Sequence, residues 1–310
     1  MKAAQISGYG GPEVVKLTND APKPTPSEGQ VLVEVHAASV NPFDNIVRSG
    51  MARGMKELEF PATLGGDFSG VISEVGSDAK GFKVGDEVYG QANALSSRGS
   101  FAQYAPVSTT SMALKPKNID FITAAALPLT GVSVYQALVE HLGLQSGQKI
   151  LIHGGAGGIG SLAIQLAKHI GAYVATTVTG EDLDFVKSLG ADEVIDYETQ
   201  DFSTILKDYD AVYDTVGGET YAKSFLVLKP GGKFVSMKQA PEGLTPPAGI
   251  EVTNQFTRVT TERLDKLTEL VESGALKVYA DKTFPLEQTD EAMAYLETGH
   301  TRGKVVIQVK

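Results

Sequence analysis

A glycine-rich turn between an apolar run and a helical pattern is the feature that most constrains this chain. The apolar residues 150–152 lead into Gly155-Ala156-Gly157-Gly158-Ile159-Gly160, and the apolar spacing that follows is helical. A strand, a glycine turn and a helix in this order are the context in which G-x-G-x-x-G predicts dinucleotide binding. We assign the tight turn to Gly155, the close approach of a diphosphate to Gly157, and close helix–strand packing to Gly160. The unpaired N–H groups at the helix start would hold the phosphates.

Further strand patterns follow this turn and alternate with helical ones. Strands are predicted at residues 172–178, 193–195, 211–214 and 233–237, a helix at 181–189 and a turn at 230–232. This alternation indicates a parallel, doubly wound sheet, whose ligand lies at the carboxyl ends of the strands. Val216 and Lys238 come just after two of these strands, so we expect them on the ligand side.

The end of the second strand bears on which nicotinamide cofactor binds. An NAD site usually carries an acid there, about 20 residues past the glycines, but this strand ends Thr177-Val178-Thr179-Gly180. Thr179 could donate a hydrogen bond to a 2′-phosphate. Glu181 and Asp182 follow, and two interpretations stay open. They could belong to a helix start with Thr179 as N-cap, or they could repel a 2′-phosphate and favour NAD.

Length and charge narrow the class of protein. The chain has 310 residues, enough for two domains, and a formal net charge of −10. That charge argues against nonspecific binding to nucleic acid or to anionic membranes. No apolar run has the length of a membrane span, and Met1-Lys2 leads directly into strand-like sequence. We therefore expect a cytoplasmic protein.

The absence of cysteine excludes several kinds of chemistry. Disulfides, thiolate catalysis and cysteine-based zinc sites all require a residue that this chain lacks. The five histidines are scattered, so a zinc site made of histidine and carboxylate ligands is open only in principle. His153 follows a buried strand and His169 lies in a helical pattern, which favours structural roles for both.

The regions on either side of the nucleotide-binding pattern have a different character. Val31, Val33 and Val35 alternate with other residues as in a half-buried strand, and residues 65–90 contain short valine-rich strands separated by Gly and Asp. These patterns predict a small barrel-like β domain. Residues 303–309, at the other end of the chain, form a strand that would close onto it. Residues 261–273 are predicted to form a helix.

These motifs resemble, nearly from end to end, the zinc-less quinone oxidoreductases of the medium-chain dehydrogenase/reductase superfamily. The matching stretches are residues 38–44, 65–90, 125–131, the glycine motif and 189–197, and the tail at 295–306 is most similar to the alkenal/enone reductase branch. The resemblance implies an α/β fold with two domains. Residues 1–118 and 258–310 would form a GroES-like β-barrel catalytic domain, and residues 119–257 a Rossmann domain. It also implies NADPH as cofactor, a quinone or enone as substrate, and a homodimer.

Differences from related enzymes refine what the resemblance implies. Zinc-using relatives place a Cys where this chain has Asn41-Pro42, and a His-Glu pair where it has Gly66-Asp67. Both differences imply that no catalytic metal is present. Relatives often carry a lysine near Glu181, where this chain has an acid, but Tyr197 matches a tyrosine that can contact the 2′-phosphate. NADPH is therefore retained as the expected cofactor.

The resemblance also assigns site residues. It implies that Asn41 and Asp44 line the catalytic cleft beside the nicotinamide. The implied cofactor-binding residues are Thr130 at a ribose, Gly155, Ala156, Gly157, Gly158 and Ile159 at the diphosphate, Thr179 and Tyr197 at the adenosine phosphate, and Val216, Lys238, Gly303 and Lys304. Structural interpretations stay open for three of these residues: Asn41 as part of a turn, Asp44 as a helix cap, and Lys304 as a solvated strand residue.

The chain offers no obvious general acid and no Ser/His/Asp arrangement. This fits hydride transfer that depends mainly on alignment, with the reactivity supplied by the cofactor. It also leaves open a dinucleotide-binding sensor with a vestigial catalytic cleft. A third hypothesis is an NADH-preferring reductase, which Glu181 and Asp182 motivate.

Overall fold

The computed structural model describes residues 1–310 as two compact units. Unit 1 contains both ends of the chain, and unit 2 contains most of the middle. Unit 1 comprises Met1–Leu129, Val259–Ser273 and Val278–Lys310, and unit 2 comprises Thr130–Arg258 and Gly274–Lys277.

The sixteen strands are, in chain order, β1 (Ala3–Ile6), β2 (Lys16–Thr18), β3 (Gln30–Val40), β4 (Ala62–Thr63), β5 (Asp67–Val75), β6 (Glu87–Gln91), β7 (Tyr104–Ser108), β8 (Met112–Leu114), β9 (Lys149–His153), β10 (Tyr173–Val178), β11 (Glu193–Asp196), β12 (Tyr209–Asp214), β13 (Leu228–Ser236), β14 (Glu251–Asn254), β15 (Ala280–Pro285) and β16 (Lys304–Gln308). The α-helices are α1 (Pro42–Ser49), α2 (Phe121–Ala125), α3 (Pro128–Tyr135), α4 (Gly158–Ile170), α5 (Leu183–Ser188), α6 (Phe202–Ile205), α7 (Glu219–Lys223), α8 (Thr261–Glu272) and α9 (Thr289–Glu297). A π-helical stretch at Gln136–His141 follows α3, and short 3-10 turns complete the regular structure.

Unit 1 is built on a seven-stranded sheet whose central member is β3. The strands lie in the order β15-β16-β3-β5-β6-β8, β7 also pairs with β3, and a smaller sheet has the order β2-β1-β4. Val31, Val33 and Val35 are completely buried in the core of this unit, which confirms the strand predicted from them. The C-terminal strand β16 pairs with both β15 and β3, so the last residues of the chain complete the sheet that the first third begins.

Unit 2 has the doubly wound parallel sheet that the sequence predicts. The strand order is β11-β10-β9-β12-β13-β14, and every pairing is parallel. The order reverses between β9 and β12, which is the position where open α/β sheets bind ligands outside the strand ends. The sixth strand, β14, was not predicted, because its short Glu251–Asn254 segment has little apolar character.

One turn prediction in this unit is wrong. Pro230, Gly231 and Gly232 lie inside β13, which runs from Leu228 to Ser236. The pairing of β12 with β13 skips these residues, since Tyr209 is opposite Leu228 and Ala211 is opposite Lys233. The Pro-Gly-Gly segment is therefore an irregular excursion within a strand.

The helix predicted at 261–273 is confirmed as α8, with Leu264, Leu267 and Val271 buried. The helix predicted at 181–189 is a 3-10 turn, Gly180–Asp182, followed by α5. No helix combines the length and apolar character needed to cross a membrane.

Candidate active site

The glycine turn of unit 2 connects β9 to α4. Gly154, immediately after β9, has a φ of +71° and is the residue in the left-handed region, so the assignment of the tight turn to Gly155 is wrong. Gly155 is small for a different reason, because a Cβ there would lie 2.2 Å from the Thr176 hydroxyl oxygen. Gly160 does allow close packing of helix on strand, since its Cβ would lie 2.1 Å from the carbonyl oxygen of Gly154.

The start of α4 has the shape and the donors that a diphosphate needs. Gly157 is the N-cap residue, with an extended backbone conformation, and the first-turn N–H groups of Gly158, Ile159 and Gly160 have no partner within the helix. A Cβ on Gly157 would meet no protein atom closer than 3.5 Å, so the glycine leaves a cradle that a side chain would fill. The positive end of the helix dipole favours an anion here. This segment therefore fits the diphosphate of a dinucleotide.

A chain of side-chain hydrogen bonds supports the turn from behind. The Ser224 hydroxyl donates to the Thr220 carbonyl at 2.6 Å, so it accepts from Nε2 of His153 at 3.0 Å. Nδ1 of His153 then accepts from the Thr177 hydroxyl, also at 3.0 Å, and that hydroxyl oxygen accepts the Gly154 N–H at 3.4 Å. Burial lowers the pKa of His153 to about 4, so the imidazole is neutral. The structural role expected for His153 is therefore what the structure shows.

The carboxyl ends of β10 and β11 bring Thr179 and Tyr197 together. Val178 is opposite Asp196 in the parallel pairing, and the Tyr197 N–H donates to the Val178 carbonyl at 3.1 Å. Thr179 is the N-cap of the 3-10 turn, and its hydroxyl contacts the Asp182 carboxylate at 3.3 Å. The Tyr197 side chain is 54% exposed and available to a ligand. Partial burial and the neighbouring carboxylates raise the pKa of Tyr197, so its phenol stays protonated and can donate a hydrogen bond.

The ends of β12 and β13 place Val216 and Lys238 on the same edge of the unit 2 sheet. A Cβ on Gly154 would meet a Val216 methyl carbon at 3.5 Å, and one on Gly217 would meet Cγ of Lys238 at 2.7 Å. The buried Asp214 carboxylate fixes this turn by accepting the Val216 and Gly217 N–H groups at 2.9 and 3.0 Å. Thr130, the first residue of unit 2, is also buried.

Unit 1 contains a second group of expected site residues, brought together by three neighbouring strands. Val305 of β16 is opposite Val40 of β3, and Phe68 of β5 is opposite Ala38 of β3. Asn41 follows β3 directly, so it lies between Lys304, which begins β16, and Asp67, which begins β5. All three side chains are buried. The interpretation of Lys304 as a solvated strand residue is therefore wrong.

Hydrogen bonds join these side chains into a polar cluster, defined here as Asn41, Asp44, Asp67, Gln91 and Lys304, in which all members but the half-buried Gln91 are buried. Nζ of Lys304 donates to Oδ1 of Asn41 at 2.5 Å and to the Val40 carbonyl at 2.8 Å. Nδ2 of Asn41 donates to Oδ2 of Asp67 at 3.0 Å. Asp67 also accepts from the Leu129 N–H at 3.1 Å and from Nε2 of Gln91 at 3.3 Å.

Asp44 caps helix α1, as one of the open interpretations proposed. Its Oδ2 accepts the Asn41 N–H at 2.8 Å, three residues before it, and the Gly66 N–H donates to it as well. The capping contact also fixes the backbone of Asn41. Burial nevertheless raises the pKa of Asp44 to about 7, against the effect of these N–H donors, and the negative charge of Asp67 adds to the rise.

The two remaining charges in the cluster compensate each other. Burial raises the pKa of Asp67, and the Lys304 ammonium, which acts in the opposite direction, offsets only part of that rise. Burial lowers the pKa of Lys304, and the carboxylates of Asp67 and Asp44, which act in the opposite direction, offset only part of that fall. Gly303, just before Lys304, has a φ of +86°, and a Cβ there would lie 2.3 Å from the Tyr279 carbonyl oxygen. Glycine is thus required for the entry into β16.

Sequence reasoning missed Asp67 and Gln91 as members of this cluster. One feature of the sequence could have indicated Asp67. It is an acid that begins a mostly apolar strand, at the position of the His-Glu pair in the zinc-using enzymes. No group of three or more His, Cys, Asp or Glu side chains is arranged to hold a metal ion.

Comparison with known proteins identifies the family. Residues 27–117 match the family model described as an alcohol dehydrogenase GroES-like domain, and residues 189–307 match one described as a zinc-binding dehydrogenase. The chain is 42% identical to the 2-methylene-furan-3-one reductase of Solanum lycopersicum, over 99% of this chain and 79% of that protein. The chain belongs to the quinone oxidoreductase and alkenal/enone reductase family of the medium-chain dehydrogenases/reductases.

Two further comparisons with members of this reductase family extend over both units of the chain. The NADPH-dependent alkenal/one oxidoreductase of Arabidopsis thaliana, named as chloroplastic, is 40% identical over 99% of this chain and 79% of that protein. The structure of Escherichia coli quinone oxidoreductase complexed with NADPH superposes with a TM-score of 0.89 at 29% identity, covering 100% of each chain. The expected fold, a GroES-like domain with a Rossmann domain, is confirmed.

Proposed function

We propose that this chain reduces quinones and the C=C bond of activated alkenes, with NADPH as the hydride donor and without a catalytic metal. The observation that carries the proposal is the glycine turn of unit 2, whose cradle at Gly157 and free helix-start donors fit a dinucleotide diphosphate. The names of the two reductases that are at least 40% identical to this chain support the substrate class.

The residues of unit 2 would bind and orient the cofactor. When bound, NADPH supplies a hydride to an electrophilic carbon of the substrate. We propose that Gly155, Ala156, Gly157, Gly158 and Ile159 hold the diphosphate through backbone N–H groups. Thr179 and Tyr197 would meet the adenosine phosphate, since the Tyr197 phenol is an exposed donor. Thr130 would contact a ribose, and Val216 and Lys238 would border the cofactor from the ends of β12 and β13.

In unit 1 we propose that Asn41 contacts a reacting partner and that Asp44 holds its backbone in place. The amide of Asn41 has a second N–H beyond the one that bonds Asp67. Lys304 has its Nζ engaged by Val40 and Asn41 within the protein. Its contribution would therefore be made through Asn41, with Gly303 permitting its position.

The test is oxidation of NADPH, followed by the loss of reduced-nicotinamide absorbance after addition of a small quinone and, separately, a short enone. Parallel assays with NADH establish cofactor preference. We expect turnover with NADPH preferred. Binding of NADPH without turnover of a broad panel of quinones and enones would overturn the proposal in favour of the sensor hypothesis. Turnover with NADH preferred would favour the NADH-dependent reductase.

We further propose a homodimer, and a cytoplasmic location. One outer edge of the unit 2 sheet is β14, whose far side has no strand partner, and such an edge can pair with a second copy. Light scattering on the purified protein should then give twice the mass of the chain. Fractionation of cells tests the location. The domain boundaries at 118/119 and 257/258 are proposals that expression of residues 119–257 alone would test.

A further inference from the structure

The amide of Asn41 lies between two buried groups of opposite charge. Its oxygen Oδ1 accepts from the Lys304 ammonium at 2.5 Å, and its nitrogen Nδ2 donates to the Asp67 carboxylate at 3.0 Å. Relative exposure is 2% for Asn41, 0% for Asp67 and 5% for Lys304. Water therefore cannot substitute for either partner.

These two partners permit only one orientation of the amide. An ammonium can only donate hydrogen bonds, and an ionised carboxylate can only accept them. Rotating the amide by half a turn would place its NH₂ against the ammonium and its oxygen against the carboxylate. Both hydrogen bonds would be lost and both contacts would become repulsive. The strand order fixes the arrangement further, because β3 lies between β16 and β5.

We propose that Lys304 is a positioning residue, which with Asp67 holds the Asn41 amide so that its second Nδ2–H is free to donate to a carbonyl oxygen. This inference rests on the proposed function, in which two partners carry such an oxygen: the nicotinamide carboxamide and the quinone or enone. A hydrogen bond to either oxygen stabilises most when its donor is fixed before the ligand arrives, because no reorganisation is then needed. The Lys304 ammonium already donates to Asn41 and to the Val40 carbonyl, so in this proposal it acts through Asn41 and not by contact with either ligand.

The decisive variants separate charge compensation from amide orientation. Lys304→Met leaves the buried Asp67 carboxylate without its cation, so we expect both thermal stability and activity to fall. The double variant Lys304→Met with Asp67→Asn removes both charges. Its stability should recover, but an Asn at 67 both donates and accepts, so it no longer orients Asn41. We expect kcat/KM to stay about 100- to 1000-fold below wild type, the loss typical when a fixed donor is removed.

Dependence on Asn41 is the signature that a merely structural role would not give. Asn41→Ala should lower kcat/KM as much as the double variant does, and combining all three changes should lower it no further. Lys115→Met is the matched control. Lys115 is also buried in unit 1, where its Nζ donates to the Ile119 carbonyl at 2.7 Å, so its loss should reduce stability with kcat/KM unchanged.

NADPH affinity, measured by nicotinamide fluorescence on the same variants, identifies the carbonyl. Equal losses of affinity in Asn41→Ala and the double variant assign it to the carboxamide. Unchanged affinity with lower kcat/KM assigns it to the substrate. Recovery of full activity in the double variant would overturn the proposal, as would additive effects of the Asn41 and Lys304 changes. If the wild-type protein reduces neither a quinone nor an enone, the proposed function fails. If, in that case, NADPH affinity is also unchanged in every variant, this inference is overturned as well.

Discussion

Two alanine substitutions in the glycine turn should separate cofactor binding from folding. At Gly160, the new Cβ would lie 2.1 Å from the Gly154 oxygen and 2.7 Å from the Gly155 Cα, both backbone atoms. Reaching ordinary contact at 3.4 Å requires a displacement of 3.4 − 2.1 = 1.3 Å. Overpacking of this kind costs about 1–3 kcal/mol, and the better helix propensity of Ala returns up to about 1 kcal/mol. The middle of the resulting range, a net loss of about 1–2 kcal/mol, corresponds to a fall in Tm of roughly 2–8 °C.

At Gly157 the balance is reversed. The backbone there has a φ of −70°, which alanine adopts freely, and the nearest protein atom to its Cβ would be 3.5 Å away. Alanine is a poorer N-cap residue than glycine, so we expect a loss of about 0.5–1 kcal/mol in the free energy of unfolding without cofactor. The methyl group fills the cradle, however, and displacing the diphosphate by a comparable distance should cost about 2–3 kcal/mol, or roughly 30- to 150-fold in Kd.

The assay pairs thermal melts without cofactor with fluorescence titration of NADPH for Gly157→Ala, Gly160→Ala and wild type. Gly160→Ala should have a lower Tm. Gly157→Ala should lose at most a few degrees of Tm but bind NADPH much more weakly. Wild-type affinity in Gly157→Ala would refute the placement of the diphosphate on this turn. A wild-type Tm in Gly160→Ala would refute the claim that the helix packs rigidly on Gly154.

Three further outcomes are expected. Burial raises the folded-state pKa of Asp44 to about 7, so the folded protein keeps a proton there that the unfolded chain releases near pH 4. Stability should therefore fall as the pH rises from about 4 to about 7. Asp44→Asn should reduce this fall in melts recorded between pH 4 and 8, and an unaltered profile would contradict the prediction. Tyr197→Phe should raise KM for NADPH about three- to tenfold and leave KM for NADH unchanged in steady-state assays, since only the 2′-phosphate gains from the phenol; equal effects on both would remove this role. Tyr9→Phe deletes the hydroxyl that accepts the Leu58 N–H at 2.9 Å but keeps the ring packed on Phe60. Residues 50–58 form a connecting segment of the kind that sets substrate preference, so KM for the quinone or enone should change while KM for NADPH does not. A change in KM for NADPH alone would refute this prediction.

The parts of the fold that the sequence predicts are those encoded by local patterns. The alternation of strand and helix after Gly155 is a local pattern, and it predicted the parallel sheet of unit 2 without fixing the strand order. The left-handed residue was assigned to Gly155 instead of Gly154 because adjacent glycines are equivalent in a motif. Pro230 lies within the range of β13 although the pairing with β12 is interrupted there, and no local pattern predicts this.

The candidate site was predicted unevenly for the same reason. Helix capping by Asp44 involves only residues close to it in the chain, so it could be considered from the sequence alone. The burial of Lys304 is not local, because its partner Asn41 is 263 residues away in the chain. A lysine after a glycine at the start of a strand has the appearance of a solvated residue until the strand pairing is known. Asp67 and Gln91 were missed because their partners also come from other strands.

The charge state of the polar cluster explains how this chain can bury polar side chains at positions 41 and 67, where zinc-using relatives have metal ligands. Two carboxyl groups and one ammonium would carry a net negative charge if all were ionised, and burying an uncompensated charge is costly. A pKa of about 7 for Asp44 means that this carboxyl takes up a proton near neutral pH, leaving the Asp67–Lys304 pair balanced. Asn41, being uncharged, can then lie between the two charges and satisfy both. Asn41→Asp should therefore lower the Tm more than Asn41→Ala does, because the new carboxylate would restore the excess negative charge beside Asp67.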